Sequence, residues 1–275
     1  MSGITATEVS RLRKVTGAGM MDCKNALQES DGDFNKAIEI IRKKGQAIAN
    51  KRADREAREG VVIAKTNNND TKGAIVVLNC ETDFVAKNDS FVKFAESILD
   101  KAISENPDSL EDLKKLKIEG KTINDKVTEQ IGIIGEKLTL SYYDKIESRQ
   151  VIPYIHPGNK LATLVGLNKV TDVQVGKNLA MQVAAMNPVA VDKDDVPPEI
   201  IENEKEIGRE QARQEGRPEN ILDKIAEGKL NKFFKESTLL NQDYTRDNKK
   251  TIRQYLQESD SELKVTGFIR YSLND

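Results

Sequence analysis

The residue types that most often carry chemistry are few in this sequence, and their spacing excludes more than it offers. Among 275 residues there is a single histidine, His156, which rules out the paired-histidine helix of zinc proteases and any multi-histidine metal site. Two cysteines, Cys23 and Cys80, are far apart and fit no metal or redox spacing; each falls in an apolar pattern that reads as a buried, reduced thiol. No GxxxxGK[ST] loop occurs, and no GxGxxG follows a strand, so no known loop is present to hold a nucleotide. Asp83, Lys87 and Asp89 form a local charged group that an enzyme could use, but no neighbour orients them and no substrate pocket can be inferred. No catalytic residue, cofactor or metal is expected.

The segment 82–88, TDFVAKN, is the most informative. Phe84 is a large apolar side chain beside the anion Asp83, in a turn between a buried-looking strand and a helix. An exposed aromatic there would make a natural interface anchor. The same ring could equally tuck into its own core as the following helix begins, and the residues leave both readings open. A second group, Lys51, Arg52, Arg55 and Arg58, could be a nucleic-acid patch, but the interleaved Asp54, Glu56 and Glu59 favour a solvated face.

The elements that must position these residues read as an α+β protein. Residues 1–45 predict three short helices. Thr5 and Glu8 form a capping box ahead of Val9 and Leu12, and the glycines of TGAG (16–19) end the first helix. Met20, Cys23, Ala26 and Leu27 line the second; adjacent helical positions seldom both face inward, so one of Met20 and Met21 is expected in the core. Asp33 caps the third, whose stripe is Phe34, Ala37, Ile38 and Ile41, and Gly45 is read as its stop. A charged helical or flexible linker, 46–59, follows. Residues 60–147 predict a hairpin (61–66 and 74–80), a helix capped by Ser90, shorter helices from Ser109 and Thr122, and a strand from 137 after a turn at Gly135. A second hairpin (151–155 and 161–167) and a helix (177–186) repeat that outline, which suggests a duplicated antiparallel-sheet-plus-helices core built from 60–147 and from 148–196 with 237–275. Between them, 197–236 holds two helices with narrow apolar stripes around a Gly-Arg-Pro turn, read as an inserted antiparallel hairpin; so little apolar surface suggests that it projects from the body, the alternative being two surface helices lying flat on the core. A last helix (251–257) and strand (263–273) close the chain.

Composition bounds the function. Hydrophobic residues make up 37% and charged residues 32%, as in a polar globular protein. Lysine and arginine number 43 against 45 acidic residues, and aromatics are 5%, so neither a basic field nor stacking residues favour RNA. Apolar runs such as 73–78 are too short to cross a bilayer, and the N-terminus lacks the pattern of a secretory signal, which points to the cytoplasm.

Three stretches carry a family resemblance: LRKVTGAGMMDCKNAL (12–27), NCETDFVAKND (79–89) and VTGFIRY (265–271). In this order, with a helical hairpin before the last, the chain resembles the elongation factor Ts family over essentially its whole length. The resemblance implies a non-enzymatic exchange factor that binds elongation factor Tu, GDP-bound and nucleotide-free, without contacting nucleic acid or membrane. It makes 1–45 similar to ubiquitin-associated modules; a binding module for ubiquitin-like proteins would leave the rest of the chain unexplained. It sets Thr82, Asp83, Phe84 and Val85 beside the partner's Mg²⁺ and nucleotide site, with Phe84 as a wedge that Asp83 supports. It adds contacts from Arg13, Met20, Met21 and Lys24 in the N-terminal module, from Ile134 and Gly135 near the same site, and from His156 toward the partner's third domain. Tyr244, Thr245 and Arg246 fall in its C-terminal contact segment. Two departures stand out: Gln242-Asp243-Tyr244 where the family usually has Gln-Pro-Phe, and Asn159-Lys160 in place of a Gly-Arg pair.

Overall fold

Helix α1 (Ala6–Thr16) starts at the Thr5–Glu8 capping box and ends at Gly17, whose φ of 71° is the left-handed conformation a helix stop requires. Helix α2 (Met20–Glu29) buries Cys23, Ala26 and Leu27, and α3 (Phe34–Lys51) starts at Asp33, whose carboxylate accepts from the Asn35 and Lys36 N–H groups. Val9, Leu12, Ala18, Cys23, Ala26, Leu27 and Ala37 make the small core of these helices. The computed structural model describes residues 4–275; residues 1–3 of the expected 1–45 module lie outside the described residues.

Gly45 does not stop the third helix. α3 runs on to Lys51 because Gln46, Ala47 and Ile48 are fair helix formers, and Ile48 and Ala49 pack on the main core. The glycine instead permits a close helix crossing described below.

The main body is built from two three-stranded antiparallel sheets packed face to face. β1 (Glu59–Thr66) and β2 (Lys72–Cys80) form a hairpin. The one-turn α4 (Asp83–Ala86) leads to α5 (Asp89–Glu105), which is capped by the Asn88 side chain on Ser90 N–H and not by Ser90. After α6 (Leu110–Lys115), the short ribbon β3 (Lys117–Ile118) and β4 (Lys121–Thr122), and α7 (Ile123–Ile134), strand β5 (Thr139–Glu147) returns to give the order β1-β2-β5. β6 (Gln150–Ile155), β7 (Leu161–Leu167) and α8 (Val173–Met186) repeat the plan. Helices α9 (Pro198–Gln214) and α10 (Leu222–Ser237) follow, then the ribbon β8 (Asp243–Tyr244) and β9 (Asp247–Thr251), and α11 (Ile252–Ser259). β10 (Val265–Ser272) completes the second sheet in the order β6-β7-β10.

Strand alternation assigns each side chain to a layer. Val61 and Ile63 face α5 and α7, while Val62 and Ala64 join Ile75, Val77, Val151, Ala162 and Leu164 between the sheets. Val165 and Leu167 point the other way, onto Leu179 and Val183 of α8 and Ile252 and Leu256 of α11. The result is four layers, helices–sheet–sheet–helices, with the same strand order in each half. Helices α9 and α10 pack antiparallel through Gly208 and Ala212 against Ala226, Leu222 and Leu230.

Candidate functional site

Phe84 is 82% exposed. On a helix of a single turn, three successive residues cannot share one face. Ala86 is buried and Val85 packs against the core beneath β1 and β2, so the ring of Phe84 is turned outward. The segment that the residues alone left undecided is thus an aromatic held at the surface by its two apolar neighbours.

Charges brace the same turn. Lys87 donates to the Asp83 carboxylate at 2.6 Å, and this hydrogen bond holds the Asp83 carboxyl below its ordinary range, with further help from the Lys160 ammonium. Lys160 pairs with Glu59 at 2.8 Å, and the neighbouring Asn159 carbonyl accepts from the Val62 N–H at 2.6 Å. The β6–β7 turn carrying His156 therefore lies against β1, beside the start of α5. His156 itself is exposed, its Nδ1 sharing a 2.9 Å hydrogen bond with the Tyr154 hydroxyl.

On the other side of the finger stands the α7–β5 turn. Gly135, at φ 79°, ends α7 in the left-handed conformation, and Ile134 is half-buried. The next residue, Glu136, reaches across to Thr82: its carboxylate accepts from the Glu81 N–H, the Thr82 N–H and the Thr82 hydroxyl at 3.1, 3.0 and 2.7 Å. Thr82–Val85, Ile134–Gly135 and the His156 turn are thereby gathered at one edge of the core.

Glu81 faces the chain that leaves α3. It accepts from Arg52 at 2.6 Å, from Arg55 at 3.0 Å and from the Lys137 N–H at 2.6 Å. Arg52 and Arg55 thus pair with Glu81, a carboxylate outside the basic group, rather than with the interleaved acids, and only the exposed Arg58–Glu56 pair has the form that a solvated face implies. Neither Glu81 nor Glu136 stood out in the sequence, since each meets its partners only through the fold. Burial, with Glu136 and Glu59 nearby, pushes the Cys80 thiol up to about 12, which makes it an unreactive thiol. Asp83, Lys87 and Asp89 do not converge: Lys87 turns to Asp83, and among the described residues no three His, Cys, Asp or Glu side chains gather as a metal ion requires. Nor is any helix among them long and apolar enough to cross a membrane.

The remaining expectations divide. Met20 and Met21 are 47% and 64% exposed, so neither is core; Cys23 and Leu27 fill the interior in their place, and Val15 extends the apolar surface. Arg13 and Lys24 are also exposed. Tyr244, expected in the C-terminal contact segment, is buried. It is 5% exposed and stacks on Tyr255 at 4.5 Å between centroids, because the register of β8 turns its ring onto α11. The side chains of Thr245 and Arg246 stay exposed, while the Thr245 N–H donates to the buried Gln182 side chain at 3.0 Å.

Comparison with known proteins gives a family. The family model described as "Elongation factor TS" matches residues 81–275. A protein of Amoebophilus asiaticus named elongation factor Ts is 53% identical over 270 residues, 97% of this chain and 98% of its own. Proteins of the same name from Porphyromonas gingivalis and Christiangramia forsetii are 51% identical over 98% of both chains and 50% identical over 99% of this chain and all of the other.

Proposed function

We propose, from the premise that this chain belongs to the elongation factor Ts family, that it acts in the cytoplasm as a non-enzymatic exchange factor, binding GDP-bound elongation factor Tu and promoting GDP release. The observation that carries the reading is the outward ring of Phe84 on a turn whose other apolar residues are anchored. Asp83 and Phe84 insert beside the partner's Mg²⁺ and phosphate site, and the ring parts elements of the GTPase. Mg²⁺ tolerates little departure from octahedral geometry, so a small displacement of its ligands weakens nucleotide binding. A tenfold loss of GDP affinity needs about 1.4 kcal/mol, within the reach of one buried aromatic. The coupling is reciprocal: GDP weakens the complex by the factor by which the complex weakens GDP, and GTP then completes the exchange.

Other exposed groups extend the contact. Met20 and Met21, flanked by Arg13 and Lys24, offer an adaptable apolar surface with charge at its rim. Ile134 and Gly135 add a supporting contact near the same site, His156 meets the partner's third domain, and Thr245 and Arg246 supply the C-terminal contact.

The test is release of a fluorescent GDP from elongation factor Tu, with and without this protein. Phe84→Ala is expected to slow stimulated release about tenfold or more, as for loss of an interface anchor. Its thermal midpoint should stay close to the wild-type value, because the residue is 82% exposed and buries little of its own chain. Equal stimulation by wild type and variant overturns the wedge.

A further inference from the structure

We propose that Glu136 is a positioning residue for the Asp83–Phe84 turn: presented from the α7–β5 turn, its carboxylate fixes the direction in which Phe84 leaves the surface. The proposal rests on the exchange reading above and adds to it the group that aims the wedge.

The turn cannot hold its own direction. α4 has four residues, and its closure amounts to the Ala86 N–H on the Thr82 carbonyl at 3.3 Å, Lys87 on Asp83 at 3.0 Å and Asn88 on Val85 at 3.0 Å. A single turn of helix is unstable alone. Its N-cap, Thr82, is of a type that ordinarily caps a helix with its own hydroxyl, yet here that side chain makes no capping bond. The hydroxyl donates to Glu136 Oε1 instead, at 2.7 Å, while the Glu81 and Thr82 N–H groups both donate to Oε2. Three donors from two consecutive residues thus converge on one carboxylate from a different element. Bonds to an ionised acceptor are the stronger kind, and convergence fixes an orientation as well as a distance.

The arrangement is reciprocal. Glu136 takes the backbone N–H groups of Glu81 and Thr82, and the Glu81 carboxylate takes the N–H of Lys137, the residue after Glu136, at 2.6 Å. The Lys137 ammonium donates to the carbonyls of Ala53 and Arg55 at 2.5 and 2.7 Å, and Arg52 and Arg55 balance Glu81. Finger, α7–β5 turn and the chain leaving α3 are laced into one unit at the base of Phe84. Val85 and Ala86 decide which face of the turn carries the ring, and this base fixes the turn that points it.

The experiment uses the full chain and elongation factor Tu carrying fluorescent GDP, with variants Glu136→Ala, Glu136→Gln, Phe84→Ala and the Glu136→Ala/Phe84→Ala double. Glu136→Ala is expected to slow stimulated release about fivefold, and to add nothing when Phe84 is already alanine, since it acts through the ring. Glu136→Gln is expected to restore most of the rate: its amide oxygen accepts the two N–H groups and its NH₂ donates to the Thr82 hydroxyl. A wild-type rate for Glu136→Ala, or effects that multiply in the double variant, overturns the proposal. If Glu136→Ala does not fold, Thr82→Val removes the hydroxyl bond alone and carries the same comparison, slower release and non-additivity supporting the proposal and an unchanged rate refuting it. Full stimulation by Phe84→Ala would instead remove the exchange reading itself, and the positioning role with it. A Phe84→Ala loss with Glu136→Ala unaffected removes only the positioning role.

Discussion

Glu81 and Glu136 stand close together at the base of the finger, and the molecule tolerates two carboxylates there because each is occupied by donors. The Glu81 side chain is 13% exposed. Burial works to raise its carboxyl, but the Lys137 N–H, followed by the Arg52 and Arg55 guanidiniums, overcomes this and brings it down to about 2 from the ordinary 4.5. A carboxyl depressed in the folded state contributes stability that is fully present above the unfolded value near 4.5 and lost as pH falls toward 2. Denaturant unfolding between those limits is therefore expected to show wild-type stability falling with acid more steeply than that of Glu81→Gln. At neutral pH the Gln variant should be less stable by about 1–3 kcal/mol, the range for a charged hydrogen-bonded group. Parallel slopes for the two proteins would show that the carboxylate is not held as described. These partners lie 55 and 56 positions along the chain, so no local pattern could announce them. The exposure of Phe84 was open for a related reason: Thr-Asp-Phe-Val suits a helix start with the ring inward or outward, and only the seating of Val85 and Ala86 decides. The burial of Tyr244 was not legible either, since its covering partner, Tyr255, belongs to a helix whose packing direction the sequence does not state.

At the scale of elements, what the sequence carried well was helix initiation, because a capping side chain and the helix it starts are neighbours in the chain. Thr5, Asp33, Ser109, Thr122 and Thr251 each cap where their types predict. The start of α8 at Val173 was less legible, as Val173 and Val175 are β-branched and hide the helical pattern after Asp172. Gly45 shows the limit from the other side, for a glycine can end a helix or let a second helix approach, and the local residues do not distinguish these. Here α3 crosses α7 so closely that a Cβ on Gly132 would lie 2.5 Å from Gly45 Cα, with the Arg42–Glu129 ion pair (3.8 Å) beside the crossing. The crossing docks the N-terminal helices on the sheet-bearing core. Gly132→Ala must push backbone from backbone, and thermal unfolding is expected to report a loss of about 1–3 kcal/mol, as for other overpacked sites. Gly228→Ala, in α10 with nothing within 4 Å of the added carbon, should gain about 0.5–1 kcal/mol from helix propensity. A neutral Gly132→Ala would mean that the two helices separate freely and that the N-terminal helices are not fixed to the core.

For the whole molecule, the two-sheet body and the α9–α10 hairpin differ in what holds them together. β2 and β7 are the central strands of their sheets and are covered on both faces, by helices outside and by the facing sheet within. The hairpin rests on a narrow seam around Gly208, Ala212, Leu222, Ala226 and Leu230. Its ion pairs, such as Arg209–Asp223 and Arg213–Glu219, involve carboxylates 87% and 78% exposed, and pairs of that kind contribute little. Local opening should therefore cost least in the hairpin and most in the central strands. Hydrogen exchange followed by mass spectrometry is expected to label peptides from 198–237 well before those from 72–80 and 161–167. The duplicated strand order was legible from two hairpin-and-helix runs, but the back-to-back packing was not. Strands buried on both faces read as continuous apolar runs, and these do not say whether a helix or another sheet lies opposite. The packing matters for the finger, because Thr82 continues from β2, the strand expected to open last. A finger rooted in the most protected strand can transmit force to a partner without yielding. If 72–80 exchanged as early as the hairpin, the body would be too soft to drive a wedge, and binding would have to proceed by mutual adjustment of both surfaces.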